Sequence, residues 1–298
     1  MKGLEVKVRD LVKVHRTGKI EVQALRGLNV DIKSGELVAI IGPSGSGKTT
    51  LLNIVGGLDK ATAGTVQVGD KTVTSMSVGE LVDFRRKVVG HIFQNLNLIP
   101  TLTAEENIEF SMVAAGVSRG KRHERVKELL ETVGLVDRAN HKPEELSGGE
   151  QQRIAIAAAM ANDAPVLLAD EPTGELDTVN AKCVVDYLVK VNNSLGKTIV
   201  MVTHDPTVAR AADRILRIED GVIKMTLTPS EVIVEEKAVS YTDQLKARIK
   251  EISGQLQQLD VTFKADKITG DEYTEQRIKL NQTLRSLKEE LSRMGMVT

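Results

Sequence analysis

The sequence predicts an α/β protein: a mainly parallel sheet around a glycine-rich loop, with an antiparallel β layer, an inserted helical subdomain and a C-terminal coiled-coil hairpin. Three observations predict this. First, a buried-strand pattern at 37–41, a glycine-rich stretch at 42–50 and a helical pattern from Leu51 follow one another without a break. Second, the apolar runs at 166–169 and 198–202 alternate with helical patterns, as in a parallel sheet with helices on both faces. Third, Leu245, Ile249, Ile252, Leu256 and Leu259 are spaced 4-3-4-3, and so are Leu280, Leu284, Leu287, Leu291 and Met294, which is a coiled-coil seam.

The 298 residues suggest one large domain or two. The expected division is an α/β domain at 1–226, with its helical subdomain at about 95–160, and an extension at 227–298. The net charge is −1, so bulk charge does not draw the chain to a polyanion. Aromatics are 2% and Trp is absent, which argues against the stacking platforms that bind single-stranded nucleic acid and gives no nucleic-acid partner as the expectation. The single Cys183 allows no intrachain disulfide and fits a reducing compartment. It sits in an apolar helical pattern and reads as a core residue. No apolar run approaches the ~18–20 residues that span a bilayer, and the N-terminus lacks a signal-peptide core. The expectation is a cytoplasmic chain, peripheral to a membrane only through a partner.

In order, residues 4–14 and the run Leu28, Val30, Ile32 alternate as antiparallel strands do. Residues 64–75 read as a hairpin. From 91 to 145, a short strand at 91–94 leads into an aperiodic stretch and helical patterns at 104–116 and 119–134. A long helix follows residue 148, then strand 166–169, helix 178–195, strand 198–202, helix 206–212 and a hairpin at 214–224. In the tail, two helices of about 20 residues, each about 30 Å long, flank a turn at Lys267-Ile268-Thr269-Gly270-Asp271-Glu272. Thr269-x-x-Glu272 is a capping box opening the second helix.

The glycine-rich stretch is Gly42-Pro43-Ser44-Gly45-Ser46-Gly47-Lys48-Thr49-Thr50, which fits G-x-x-x-x-G-K-[ST]. Glycines let the backbone turn tightly around an anion, and successive N–H groups with the following helix N-terminus favour negative charge. Lys48 then reaches the β/γ-phosphates and Thr49 offers a hydroxyl to Mg²⁺. Asp170-Glu171 ends a buried strand; Asp170 is placed to hold Mg²⁺ and Glu171 to act as general base on water. Ser147-Gly148-Gly149-Glu150 is a second phosphate-type loop opening a helix. One nucleotide does not need two such loops, and both are explained if the second faces the nucleotide of another copy. His204 follows a strand expected beside the Asp170 strand, within reach of a γ-phosphate and the attacking water. Gln94 ends a strand and fits a sensor of γ-phosphate and Mg²⁺.

At these residues the sequence resembles the ATP-binding cassette (ABC) transporter ATPases. The resemblance covers about residues 4–224, with the family's motifs in order: Walker A at 42–50, the Gln94 loop, the signature at 146–150, Walker B at 166–171, Glu175-Leu176-Asp177 and the switch His204. It implies the ABC ATPase fold, ATP and Mg²⁺ as ligands, ATP hydrolysis, head-to-tail dimerisation on ATP, and a separate membrane permease touched by Gln94 and the segment after it. The strings Gly56-Gly57-Leu58-Asp59, Phe93-Gln94-Asn95-Leu96-Asn97-Leu98-Ile99-Pro100 and Asp170-Glu171-Pro172-Thr173-Gly174 look like the lipoprotein-releasing, macrolide-export and cell-division group. There the ATPase drives a permease that works largely outside the membrane. Two departures stand out. The family's adenine-stacking aromatic corresponds to His15, and the helix after the signature reads Ala157-Ala158-Ala159 where Ala-Arg-Ala is common.

A soluble ABC ATPase of translation or DNA repair usually carries two cassettes or a long inserted coiled coil; here there is one cassette with a short insert. A regulatory module that binds without hydrolysing is opposed by intact Glu171 and His204. The tail seam suggests a dimer or partner contact, against a self-contained hairpin.

Overall fold

The computed structural model describes residues 2–18, 20–264 and 268–293. The turn residue Lys267 and the seam residue Met294 lie outside them. Two compact units divide the chain, Met1–Ser230 and Glu231–Thr298.

The first unit opens with β1 (Val6–Thr17) and β2 (Ile20–Ile32), an antiparallel pair. Val6 and Val8 are buried, then Leu11; the three-residue step is a bulge, where Asp10 takes φ +47 and its N–H donates to Asn29 Oδ1 at 3.0 Å. β2 is longer than the apolar run from Leu28 suggests, because it starts eight residues earlier in a stretch of mixed polarity. β3 (Leu37–Ile41), the glycine-rich loop and α1 (Lys48–Val55) follow. β4 (Ala63–Val68) pairs with β1, and β5 (Lys71–Thr72) with β4, giving an antiparallel sheet of order β2-β1-β4-β5. The expected hairpin stops at Thr72: Val73 begins a single 3-10 turn and turns inward, 4% exposed.

α2 (Val78–Lys87) was not expected. Its apolar period is sparse and Phe84 is its one buried residue. The readable signal was its start. Ser77 Oγ accepts from Glu80 N–H at 3.4 Å while Glu80 Oε2 accepts from Ser77 N–H at 2.8 Å, a full capping box.

β6 (Val89–Ile92) leads to the helical subdomain of α3 (Ala104–Ala114), α4 (Arg119–Val133) and α5 (Gly148–Met160). Buried Asn107 on α3 ties down the aperiodic stretch before it. Its Oδ1 accepts from Ile99 N–H at 2.7 Å and its Nδ2 donates to the carbonyls of Ile99, Leu102 and Thr103. Asn107→Ala removes these bonds, and the part-buried Ile99 N–H loses its acceptor, at about 1–3 kcal/mol for that group. Chemical denaturation is expected to show a lower midpoint by that order, and an unchanged midpoint would contradict the clamp.

β7 (Val166–Asp170), α6 (Thr178–Leu195), β8 (Thr198–Val202), α7 (Pro206–Ala209), β9 (Arg214–Glu219) and β10 (Val222–Leu227) complete the unit. The six-stranded sheet runs β10-β9-β3-β8-β7-β6, parallel except for the edge strand β10. Every residue of β3 and β8 is buried, as expected of a sheet covered on both faces. Val38, Ile40, Leu168, Val200 and Val202 share one core with α1 and with Val6, Val8 and Leu28 of the antiparallel sheet. Cys183 is exposed rather than core. α6 turns Val184, Leu188 and Val191 inward, and position 183 falls about 100° from Val184 on the helix.

In the second unit α8 (Pro229–Lys264) has 36 residues and α9 (Gly270–Arg293) has 24. α8 is therefore about 54 Å long, well beyond the estimate from the seam, since the helix starts sixteen residues before Leu245. The capping box forms, with Glu272 Oε2 accepting from Thr269 N–H at 2.9 Å. Tyr273 stacks on Phe263 at 4.2 Å, its hydroxyl donates to Asp260 at 2.7 Å, and Arg277 reaches the same carboxylate at 3.0 Å. These contacts join the helices beside the turn. Leu245, Ile252, Leu259 and Leu291 of the seam are buried.

Candidate functional site

The glycine-rich loop turns between β3 and α1. Gly47 takes φ +103, and a Cβ there would strike the Ala24 carbonyl and the Leu25 side chain, so only glycine fits. Lys48 opens α1 and is only 9% exposed. Its Nζ donates to the carbonyls of Gly42 and Pro43, both at 2.9 Å, which holds the ammonium across the mouth of the loop.

β7 and β8 bring the acidic residues to it. Asp170 pairs in register with Val202, so the strand ends lie side by side. Thr49 Oγ1 donates to Asp170 Oδ1 at 3.1 Å. Burial pushes the Asp170 carboxyl above its ordinary range, and the charge of Glu171 adds to this, while the Thr49 hydrogen bond and Lys48 oppose it. The Asp170 carboxylate beside the Thr49 hydroxyl supplies oxygen donors that suit a hard divalent cation. Among the described residues no group of three or more His, Cys, Asp or Glu could hold a metal ion, so such an ion would need phosphate oxygens as further ligands.

Glu171 sits in the left-handed region at φ +48, an uncommon conformation for a side-chain-bearing residue that clusters at functional sites. Its N–H donates to Val202 O at 3.0 Å. Its Oε2 accepts from His204 N–H at 3.3 Å and lies 2.8 Å from His204 Nδ1. The histidine side chain is 71% exposed and the carboxylate 15%. With the proton assigned to Nδ1, the imidazole orients the carboxylate and leaves Nε2 free.

Gly42, Ser44, Gly45, Gly47, Lys48, Thr49, Thr50, Gln94, Glu171 and His204 line one cleft of about 370 Å³. Asp170 stands beside it through Thr49. Pro43 and Ser46 belong to the loop without lining the cleft, and Ser46 Oγ is buried without a hydrogen-bond partner. The cleft also takes in Ala24 of β2, which the sequence reading left out because it started that strand at Leu28. His15 is not brought to this cleft. It is exposed on β1, opposite Val22 of β2, two residues from Ala24.

Ser147, Gly148, Gly149 and Glu150 are likewise absent from the cleft lining. Ser147 caps α5 in a capping box. A Cβ on Gly149 would overlap the Asn180 side chain of α6, and Asn180 Nδ2 donates to Asp177 Oδ2 at 2.6 Å. The signature loop therefore packs against the segment at 175–177 within one chain. The Ser147 N–H and hydroxyl, together with Arg138, hold the Glu150 carboxyl below its ordinary range.

A phosphate loop at the end of a parallel strand, with an Asp–Glu pair at the end of the next strand but one, defines a P-loop nucleotide-binding protein. Comparison with known proteins carries this further. Residues 25–174 match the family model described as ABC transporter. An ABC transporter ATP-binding protein of Methanocaldococcus jannaschii, MJ0796, is 44% identical over 242 residues, which is 80% of this chain and 99% of that one. The macrolide export ATP-binding/permease protein MacB of Escherichia coli is 45% identical over 218 residues, 73% of this chain but 34% of that protein. A solved dimeric structure of MJ0796 in a post-hydrolysis state with ADP and Pi superposes with a TM-score of 0.70 at 43% identity, covering 75% of this chain and 98% of the other. The chain belongs to the ABC transporter family, as its ATP-binding subunit with the ABC ATPase fold. Among the described residues no helix is long and apolar enough to cross a membrane.

Proposed function

We propose that this chain hydrolyses ATP to ADP and phosphate as one of two identical subunits that drive a separate membrane permease. One observation carries the reading: the residues that would cut a γ-phosphate line one cleft, while the signature loop Ser147-Gly148-Gly149 lies outside it in the same chain. A second copy, head to tail, supplies the missing wall. The dimeric, ADP- and Pi-bound MJ0796 supports two copies, and the joined ATP-binding and permease segments of MacB support a permease of the export or mechanotransmission type. Such a permease would place the chain on the cytoplasmic face of a membrane, reached through Gln94 and the residues after it.

In this reading the loop amides and Lys48 hold the β- and γ-phosphates, and Gln94 senses the γ-phosphate. Thr49 and Asp170, with Gln94, would hold Mg²⁺, which neutralises phosphate charge when bound. Glu171 accepts a proton from water as the water oxygen bonds to the γ-phosphorus. The bond from phosphorus to the β–γ bridging oxygen breaks, and the electron pair leaves on ADP. His204 keeps Glu171 in place and offers Nε2 toward the γ-phosphate. An adenine ring extending past Ala24 would stack on His15, which stands opposite Val22 of β2.

The test is co-purification with a multi-span membrane protein whose reconstitution raises ATPase activity. An ATPase active alone and indifferent to any permease would favour the soluble, non-transport class instead. Truncation after residue 228 is expected to leave nucleotide binding unchanged, because every site residue precedes it, and to weaken dimerisation or permease coupling severalfold. If binding, dimerisation and coupling all survive, the hairpin has no regulatory part.

A further inference from the structure

Glu150 gives the signature loop a negative charge in the place where the two-copy reading puts a triphosphate. That charge is present under ordinary conditions, since the groups around Glu150 hold its carboxyl low. An uncompensated carboxylate there would repel the incoming nucleotide. The structure shows what offsets it.

Glu150 Oε2 accepts from the Ser147 N–H and from the Ser147 hydroxyl, both at 2.8 Å. The other oxygen, Oε1, accepts from Arg138 Nε at 3.3 Å. Arg138 ends a short 3-10 turn, Val136–Arg138, and its Nη1 lies 3.4 Å from His141 Nε2. The guanidinium is thus fixed on two sides, and it does not line the cleft of its own chain. The Glu150 side chain is 20% exposed and that of Arg138 49%, so the pair is weakly held in the isolated chain. Closure of a second copy over it would remove water and strengthen the pairing.

We propose that Arg138 is a positioning residue for ATP-driven dimerisation. It cancels the charge of Glu150 and keeps that carboxylate turned back on the α5 cap. The Gly148 and Gly149 N–H groups are then presented to the other copy's nucleotide. This rests on the two-copy reading above. Arg138 acts through Glu150 on assembly, and not on nucleotide capture by its own loop.

The test uses the full chain with Glu171→Gln as background and reads two quantities. One is the ATP-dependent dimer dissociation constant by analytical ultracentrifugation. The other is the affinity of the dilute monomer for a fluorescent ATP analogue. Arg138→Ala should weaken the dimer about tenfold with monomer affinity unchanged, and Arg138→Lys should recover part of the loss. Adding Arg138→Ala to Glu150→Gln should cost nothing further, because the charge to be cancelled is gone. An equal loss in both backgrounds, or no loss in either, overturns the proposal. So does a fall in monomer affinity. If Arg138→Ala does not fold, Arg138→Gln keeps a donor without the charge and serves the same cycle. If the Glu171→Gln chain alone forms no ATP-dependent dimer, the two-copy reading itself falls and takes this inference with it.

Discussion

Glu171→Gln is expected to lower ATP turnover by about 10²–10⁴-fold, the usual contribution of a positioned general base, while ATP-dependent dimers persist. The substitution is nearly isosteric. The amide oxygen can still accept from His204, whose N–H and Nδ1 lie 3.3 and 2.8 Å from Oε2, so the orientation of the side chain survives. What disappears is the capacity to take a proton from water. The backbone at φ +48 keeps the side chain in place regardless of its charge. Loss of a negative charge next to Asp170 and the triphosphate also favours the ATP-bound state, so the dimer should accumulate. Single-turnover hydrolysis alongside size-exclusion chromatography separates the two effects. Turnover equal to that of the natural chain would remove Glu171 from the role of base.

The second large effect is expected at Lys48. Lys48→Ala should weaken ATP binding about a hundredfold or more, since removing one partner of a buried charge pair costs about 2–5 kcal/mol. Two contributions combine. The phosphates lose their one buried ammonium contact from the loop, and the carbonyls of Gly42 and Pro43, each 2.9 Å from Nζ, lose that cation; Pro43 keeps only the Ser46 N–H at 3.2 Å. The loop then turns carbonyl oxygens toward the anion with no positive charge between them. Lys48→Arg should not rescue, because a planar guanidinium cannot sit as a point donor between two carbonyls. Titration with a fluorescent ATP analogue measures this, and binding within a factor of a few of the natural chain would overturn it.

The parts of the fold that were legible in the sequence were those with a strong local period. β3 and β8 are buried along their whole length and stand out as unbroken apolar runs. α6 at 178–195 matches its apolar period end to end. The side-by-side placement of the Asp170 and His204 strands followed from parallel connectivity, and Asp170 does pair with Val202. Elements lacking such a period were missed or misjudged. α2 buries only Phe84, and its capping box was the sole clue. β2 starts at Ile20 because it is paired to β1 over its full length, a tertiary constraint that no local pattern in residues 20–27 reports. Ala24 went unnoticed at the cleft for the same reason. The length of α8 was underestimated because a seam marks where two helices touch and not where each begins. Cys183 reads as core because it sits in an apolar helical pattern, yet it is exposed, one helical position away from the buried Val184.

Within the site, residue types and order were legible but their distribution was not. The sequence puts His15, the phosphate loop and the signature loop on one list. The structure gathers the phosphate loop, Gln94, Glu171 and His204 into one cleft and leaves His15 and Ser147 out of it.

The clamp at Asn107 has a mechanical consequence. By gripping Ile99, Leu102 and Thr103, it welds the last part of the Gln94 loop to α3. A tilt of the helical subdomain against the six-stranded sheet then cannot be spread along the whole loop. It is taken up in the few residues between Gln94 and Ile99, where Leu96 and Asn97 already hold φ +57 and +55. Any such tilt would act on Gln94 through a short segment held at one end.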